Sequence, residues 1–172
     1  MLTKVDLCSM SLLKLGEKPI QSLNENTTNA KLGRMLIDSV IDVLLTLYPW
    51  RFATQTLHLT KNSDGDFIIP GHVLRITKTR GTIQGKKIIA NSETVSVNAV
   101  VRVQPADFPS FFASLVVTKL AMELCMPLLA DQTLFRTLTA LYETELQNAK
   151  FTDSTMSPGT GIESFNLINA RF

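Results

Sequence analysis

The sequence predicts an α+β protein: a bundle of about four helices with a small antiparallel β-sheet inserted between helices 2 and 3, followed by an extended C-terminal arm. Three observations predict it. Apolar residues recur with the 3.6-residue helical period toward both ends, the period changes to 2 between Thr54 and Val103, and glycine, proline and asparagine gather at the breaks in that middle stretch. The 172 residues amount to one domain. A hydrophobic content of 45% supports a packed core and argues against a disordered chain. The charged fraction of 19% falls below the roughly 25% usual for soluble domains, which suggests a surface partly covered by neighbours in an assembly.

The first helix is carried by Val5, Cys8, Leu12 and Leu15, with Thr3 or Asp6 near its start and Gly16 where it should stop. A polar loop, Gln21 to Asn26, leads to a longer helix over about Thr28 to Tyr48. Leu32, Leu36, Val40, Val43 and Leu47 line one face of it, and Ile37, Ile41, Leu44 and Tyr48 lie beside them. Its only charged stripe is Lys31, Arg34, Asp38 and Asp42, so this helix needs cover over most of its circumference. Pro49 should end it.

About four short strands follow: Thr54 to Thr60, Val73 to Thr77, Ile83 to Ile89 and Thr94 to Asn98. Asn62 to Gly65, Pro70-Gly71, Gly81 and Gly85 supply the turns. Asp107 is the expected N-cap of a third helix that buries Phe108, Phe111, Phe112, Leu115, Val116, Leu120 and Leu124 and stops at Pro127. A fourth starts at Asp131 and turns Leu134, Phe135, Leu138, Leu141, Tyr142, Leu146 and Ala149 inward. The domain boundaries expected are 1–150, helical over 1–50 and 105–150 with the β insertion at 51–104, and then the arm, 151–172. That last segment is linker-like in composition yet keeps Ile162, Phe165, Leu167, Ile168 and Phe172, a pattern that suits an arm ordering on a partner.

The candidate chemistry is thin. The two histidines, His58 and His72, have no Asp, Glu or Cys at helical ligand spacing, so no metal and no other cofactor is expected. Cys8 and Cys125 sit among apolar residues, as packing thiols do. Gly81 to Lys87 has three residues between its glycines and no hydroxyl after its lysine, so it reads as a glycine-turned hairpin with a basic tip and not as a phosphate loop. Asp64 and Asp66 lie in a turn. The stretch Phe67 to Ser92 holds Arg75, Lys78, Arg80, Lys86 and Lys87 without one acidic residue. This basic patch reads first as a solvated face, then as a contact for a protein partner, and last as a DNA-facing surface, because a net charge of +2 supplies no global grip on phosphates. Pro49, Trp50 and Phe52 mark a structural junction between the second helix and the sheet. Asp6 interrupts the N-terminal apolar segment, which argues against a secretory signal. The longest charge-free apolar run, Phe108 to Thr118, is shorter than the roughly 20 residues of a membrane span, so no membrane is expected as a partner.

Several short motifs, in order over residues 1–150, resemble the head-to-tail adaptor (connector) family of tailed bacteriophages, which includes the tail tubular proteins A of short-tailed phages. They are Leu15-Gly16-Glu17 with Pro19-Ile20 and Ser22-Leu23; Tyr48-Pro49-Trp50-Arg51-Phe52-Ala53, the most specific; Phe67-Ile68-Ile69-Pro70 with Val73-Leu74-Arg75-Ile76; Phe111-Phe112, Leu120-Ala121, Glu123-Leu124 and Pro127-Leu128; and Tyr142-Glu143 with Ala149. Pro70-Gly71-His72 departs from the pattern, since the family more often has a small residue and an aspartate there. The resemblance implies a non-enzymatic virion protein at the head-tail junction, assembled in the host cytoplasm. It implies a homo-oligomeric ring, usually a dodecamer, joining the portal protein above to a nozzle or tail-tube protein below. Genomic DNA would pass through the lumen without specific binding, and Ile162 to Phe172 would dock on the portal. Two other classes stay in view: a cell-wall glycan hydrolase of the virion, which needs paired carboxylates in a cleft, and a small DNA-binding protein, which needs a basic recognition helix.

Overall fold

A computed structural model describes residues 1–156. Helix α1 (Lys4–Lys14) begins at Thr3, whose hydroxyl accepts the Asp6 N–H at 3.2 Å while the Asp6 carboxylate accepts the Thr3 N–H at 2.8 Å. The donated Thr3 hydroxyl also holds the Asp6 carboxyl below its usual range. The helix ends in a paired closure, Glu17 N–H to the Leu12 carbonyl and Gly16 N–H to that of Leu13, with Gly16 at φ 74°. Helix α2 (Thr28–Leu47) is capped by Thr27, which accepts the Ala30 N–H.

Strands β1 (Thr54–Thr60), β2 (Phe67–Ile68), β3 (Val73–Thr79), β4 (Thr82–Gln84), β5 (Lys87–Ile89) and β6 (Thr94–Val101) follow. They form two three-stranded antiparallel sheets, β1-β6-β3 and β2-β5-β4, where about four strands in one sheet were expected. The difference has two local causes. Ile83 to Ile89 is a hairpin turning at Gly85 (φ 58°), which divides the expected third strand into β4 and β5, and the short β2 has too few residues to show alternation. Leu57 and Leu59 on β1 and Val95, Val97 and Ala99 on β6 face inward, joining Phe67 and Ile88 in a small core separate from that of the bundle.

Helix α3 (Ser110–Leu129) starts after Pro109, not at Asp107, which closes a 3-10 turn over Pro105–Asp107. The proline holds Phe108 extended, so the helix cannot begin before it. Pro127 does not stop the helix. Its ring removes one N–H within the last turn, and the helix runs on to a left-handed Ala130. Helix α4 (Gln132–Thr155) is capped by Asp131 and passes the expected domain boundary at 150, so residues 151–155 are helical and not part of an arm. The expected arm beyond them lies outside the described residues.

The bundle core is built around α3, against which α1, α2 and α4 all pack. The apolar stretch is longer than its charge-free run from Phe108 to Thr118: the 20 residues of α3 are together long and apolar enough to cross a membrane. Burial of Phe112, Leu115, Val116, Leu120, Leu124 and their neighbours against three helices accounts for that composition within the fold. The buried Ser11 hydroxyl donates to the carbonyls of Leu7 and Val117, tying α1 to α3. Gly33 lets α1 approach α2, since a Cβ there would lie 3.2 Å from Cys8 Sγ.

Both cysteines are buried. Burial, with Asp38 adding to it, pushes the Cys8 thiol up to about 11, and burial raises Cys125, with Asp131 adding to it. Aromatic disulfide reagents at about pH 8 are therefore expected to leave both thiols unmodified in the folded chain and to titrate both in guanidinium. Rapid stoichiometric reaction of the native protein would contradict this.

Candidate functional site

The junction between the bundle and the sheets is built by the chain emerging from α2. An α-helix leaves its last carbonyls without helical partners. Here the indole Nε1 of Trp50 donates to the Leu44 carbonyl at 2.7 Å, and the Arg75 guanidinium, reaching from β3, donates to that of Thr46 at 3.0 Å. Both groups close the helix end, and Arg75 also places positive charge at its negative pole. Trp50 is fully buried, 5.3 Å from the ring of Phe112 and 5.0 Å from Tyr48, both edge to face. Phe52 extends the cluster to Phe112 and Phe108, whereas Pro49 is exposed. The cluster thus packs the strand entry against α3.

A residue unnoticed in the sequence completes this corner. The buried carboxylate of Asp153, on the last turn of α4, accepts the Arg51 N–H at 3.1 Å. Desolvation raises its pKa, and the Arg51 N–H and charge offset this in part. No motif announces it, because a lone Asp beside Lys150 and Phe151 looks like an exposed helix end.

The structure distributes the five basic residues: Arg75 and Lys86 line one cavity, Lys78 and Arg80 another, and Lys87 neither. Arg75 is engaged with α2, and Lys87 pairs with Asp66 at 2.7 Å, which raises the lysine pKa. Lys86 lines a cavity of about 260 Å3 between the sheets, with Ile69, Val73, Ile76 and Ile83. Lys78 and Arg80 line a different cleft, of about 470 Å3, on the outer side of the β1-β6-β3 sheet. The Asn62 side-chain carbonyl accepts the N–H groups of Asp64 and Asp66, so these two acids sit in an Asx-type turn.

His58 is exposed on β1 with its Nδ1 3.0 Å from the Ser96 hydroxyl, while Cys125 is buried in the bundle, so the two do not form a nucleophile pair. His72 is exposed in the turn before β3. Among the described residues no three His, Cys, Asp or Glu side chains gather as a metal site. Ile162, Phe165, Leu167, Ile168 and Phe172 lie outside the described residues.

The helical surface is the more unusual feature. On α2, Met35 is 73% exposed, Val43 50% and Leu47 46%, and the half-buried Leu32 and Leu36 fall within the same stripe. Met10 and Leu13 on α1 are exposed as well. Periodicity signalled this excess of apolar surface on α2, but which residues stay uncovered depends on where α1 and α3 pack. No protein-family model matches the chain, and none of the curated proteins is significantly similar to it in sequence.

Proposed function

We propose that this protein is a structural subunit of the head-to-tail adaptor class, assembling into a ring, of about twelve copies by that resemblance, that joins the portal to the tail and extends the DNA channel of a virion. The observation that carries the reading is the uncovered apolar stripe of α2. A heterologous ring contact needs two different faces per subunit, and an exposed Met35, Val43 and Leu47 supply an apolar one. The motif series running from Leu15 to Ala149 supports the reading independently. In it the work is geometric: the subunit binds no cofactor, performs no chemistry and lets duplex DNA pass, in keeping with a net charge of +2. Asp38 and Asp42 share a small pocket of about 40 Å3, but each is paired with a cation, Lys4 and Arg102 respectively, so they do not favour the hydrolase alternative, and among the described residues no basic recognition helix favours the DNA-binding one.

The test is co-sedimentation of the purified chain with the portal protein of the same virus, followed by imaging of the pelleted complexes. Portal-dependent rings are expected. A chain that stays monomeric and ignores the portal overturns the proposal. The truncation that tests the arm removes residues 157–172 and keeps Asp153, whose carboxylate holds the Arg51 N–H in the folded domain. With that truncation docking is expected to be lost while melting stays unchanged, and undiminished docking would refute the assignment of Ile162, Phe165, Leu167, Ile168 and Phe172 to the portal contact.

A further inference from the structure

We propose that the outer side of the β1-β6-β3 sheet carries a binding cleft for a small phosphate-bearing anion, held between Lys78 and Arg80 and the polar side chains of Thr94, Ser96 and Asn98. The cleft encloses about 470 Å3, within the range of small-ligand sites, and no carboxylate lines it. Strand pairing assembles it. Lys78 stands opposite Asn98 in the β3-β6 ladder, and Thr94, Ser96 and Asn98 alternate along β6 on the face away from the buried Val95 and Val97.

The donors in this cleft are free to act. Among the described residues, Lys78 and Arg80 make no ion pair, whereas Arg75 and Lys87 of the same basic stretch are already engaged. Asn98 is oriented by its neighbour on β1: the Thr56 hydroxyl donates to its Oδ1 at 3.0 Å, which leaves the amide NH2 as the free end. The Ser96 hydroxyl lies 3.0 Å from His58 Nδ1. A tetrahedral oxyanion with several acceptor oxygens matches such a set of cations, hydroxyls and an amide. The concavity favours a small phosphate compound, because a duplex backbone is a ridge and is met by an extended row of cations.

The experiment titrates the 15N-labelled chain with pyrophosphate, with ATP and with a short DNA duplex at constant ionic strength. Pyrophosphate and ATP are expected to shift the amides of Lys78 to Arg80 and Thr94 to Asn98. The Lys78→Gln/Arg80→Gln double variant should bind about tenfold more weakly or worse, and Lys86→Gln, basic and exposed but outside this cleft, should stay within about twofold. Asn98→Asp keeps an acceptor for Thr56 and places a negative charge in the cleft, so it should abolish binding, and its melting temperature checks its fold. Absence of shifts with both small ligands overturns the proposal. Equal weakening by Lys86→Gln would also sink it, because a diffuse positive field would then account for the binding. Binding of the duplex alone would make this face a nucleic-acid surface and reject the small-ligand site.

Discussion

Trp50→Ala is expected to destabilise the folded chain by about 3 to 5 kcal/mol, the cost of emptying a large, fully enclosed aromatic site. The indole fills the space between α2 and α3 and touches the rings of Tyr48, Phe52, Phe111 and Phe112. Its loss also leaves the Leu44 carbonyl without its donor at the end of α2. Collapse into the vacated volume is resisted because Phe112 is itself held by Phe52 and Phe108. Urea unfolding followed by far-ultraviolet circular dichroism measures this directly, since the substitution removes the only tryptophan. An unchanged midpoint together with lost ring assembly would move Trp50 from the core to an interface and contradict the packing account.

Gly81→Val should disrupt the β2-β5-β4 sheet while leaving the bundle folded, at a cost of about 1 to 3 kcal/mol or more. A Cβ at this position would lie 2.5 Å from Ile88 Cγ2 and 2.8 Å from the Ile89 carbonyl oxygen. The clash cannot be relieved by a small side-chain rotation, because one of the two atoms is backbone and Ile88 is fully buried against Phe67. The insertion has its own core, so the damage should stay local. Native-state hydrogen exchange is the measurement: protection is expected to fall at Ile88 and Ile89 and to persist along α3. Loss of protection in α3 to the same degree would show that the insertion and the bundle form one cooperative unit.

Much of the fold was legible because its signals are local. Thr3, Gly16, Asp131 and the 3.6-residue spacing of leucines act within a turn or two of the chain, and each marks the helix it was expected to mark. The failures also have local explanations with longer reach. Asp107 has the chemistry of an N-cap, but Pro109 two residues on delays the helix, and Pro127 falls where the helix has already formed its previous turns. The two-residue β2 is defined by its partner β5 and not by any pattern of its own.

The candidate sites divide in the same way. That Arg75, Lys78, Arg80, Lys86 and Lys87 form an acid-free stretch is a property of the sequence. That Arg75 closes α2, Lys87 meets Asp66 and only Lys78 and Arg80 share a cleft with β6 is a property of the packing. Asp153 is the clearest case. It lies 102 residues from Arg51 along the chain, and nothing in its neighbourhood records that distant N–H.

Periodicity, caps and composition, which neighbouring residues carry, were enough for the α+β class, for four helices with a β insertion after the second, for the small net charge and for the surplus of apolar surface on the second helix. The division of the strands into two sheets with a second core, the choice of apolar side chains left uncovered and the pairing of charges all depend on packing. Burial and pairing are set by residues brought together from far apart in the chain, and no short window of sequence contains both partners.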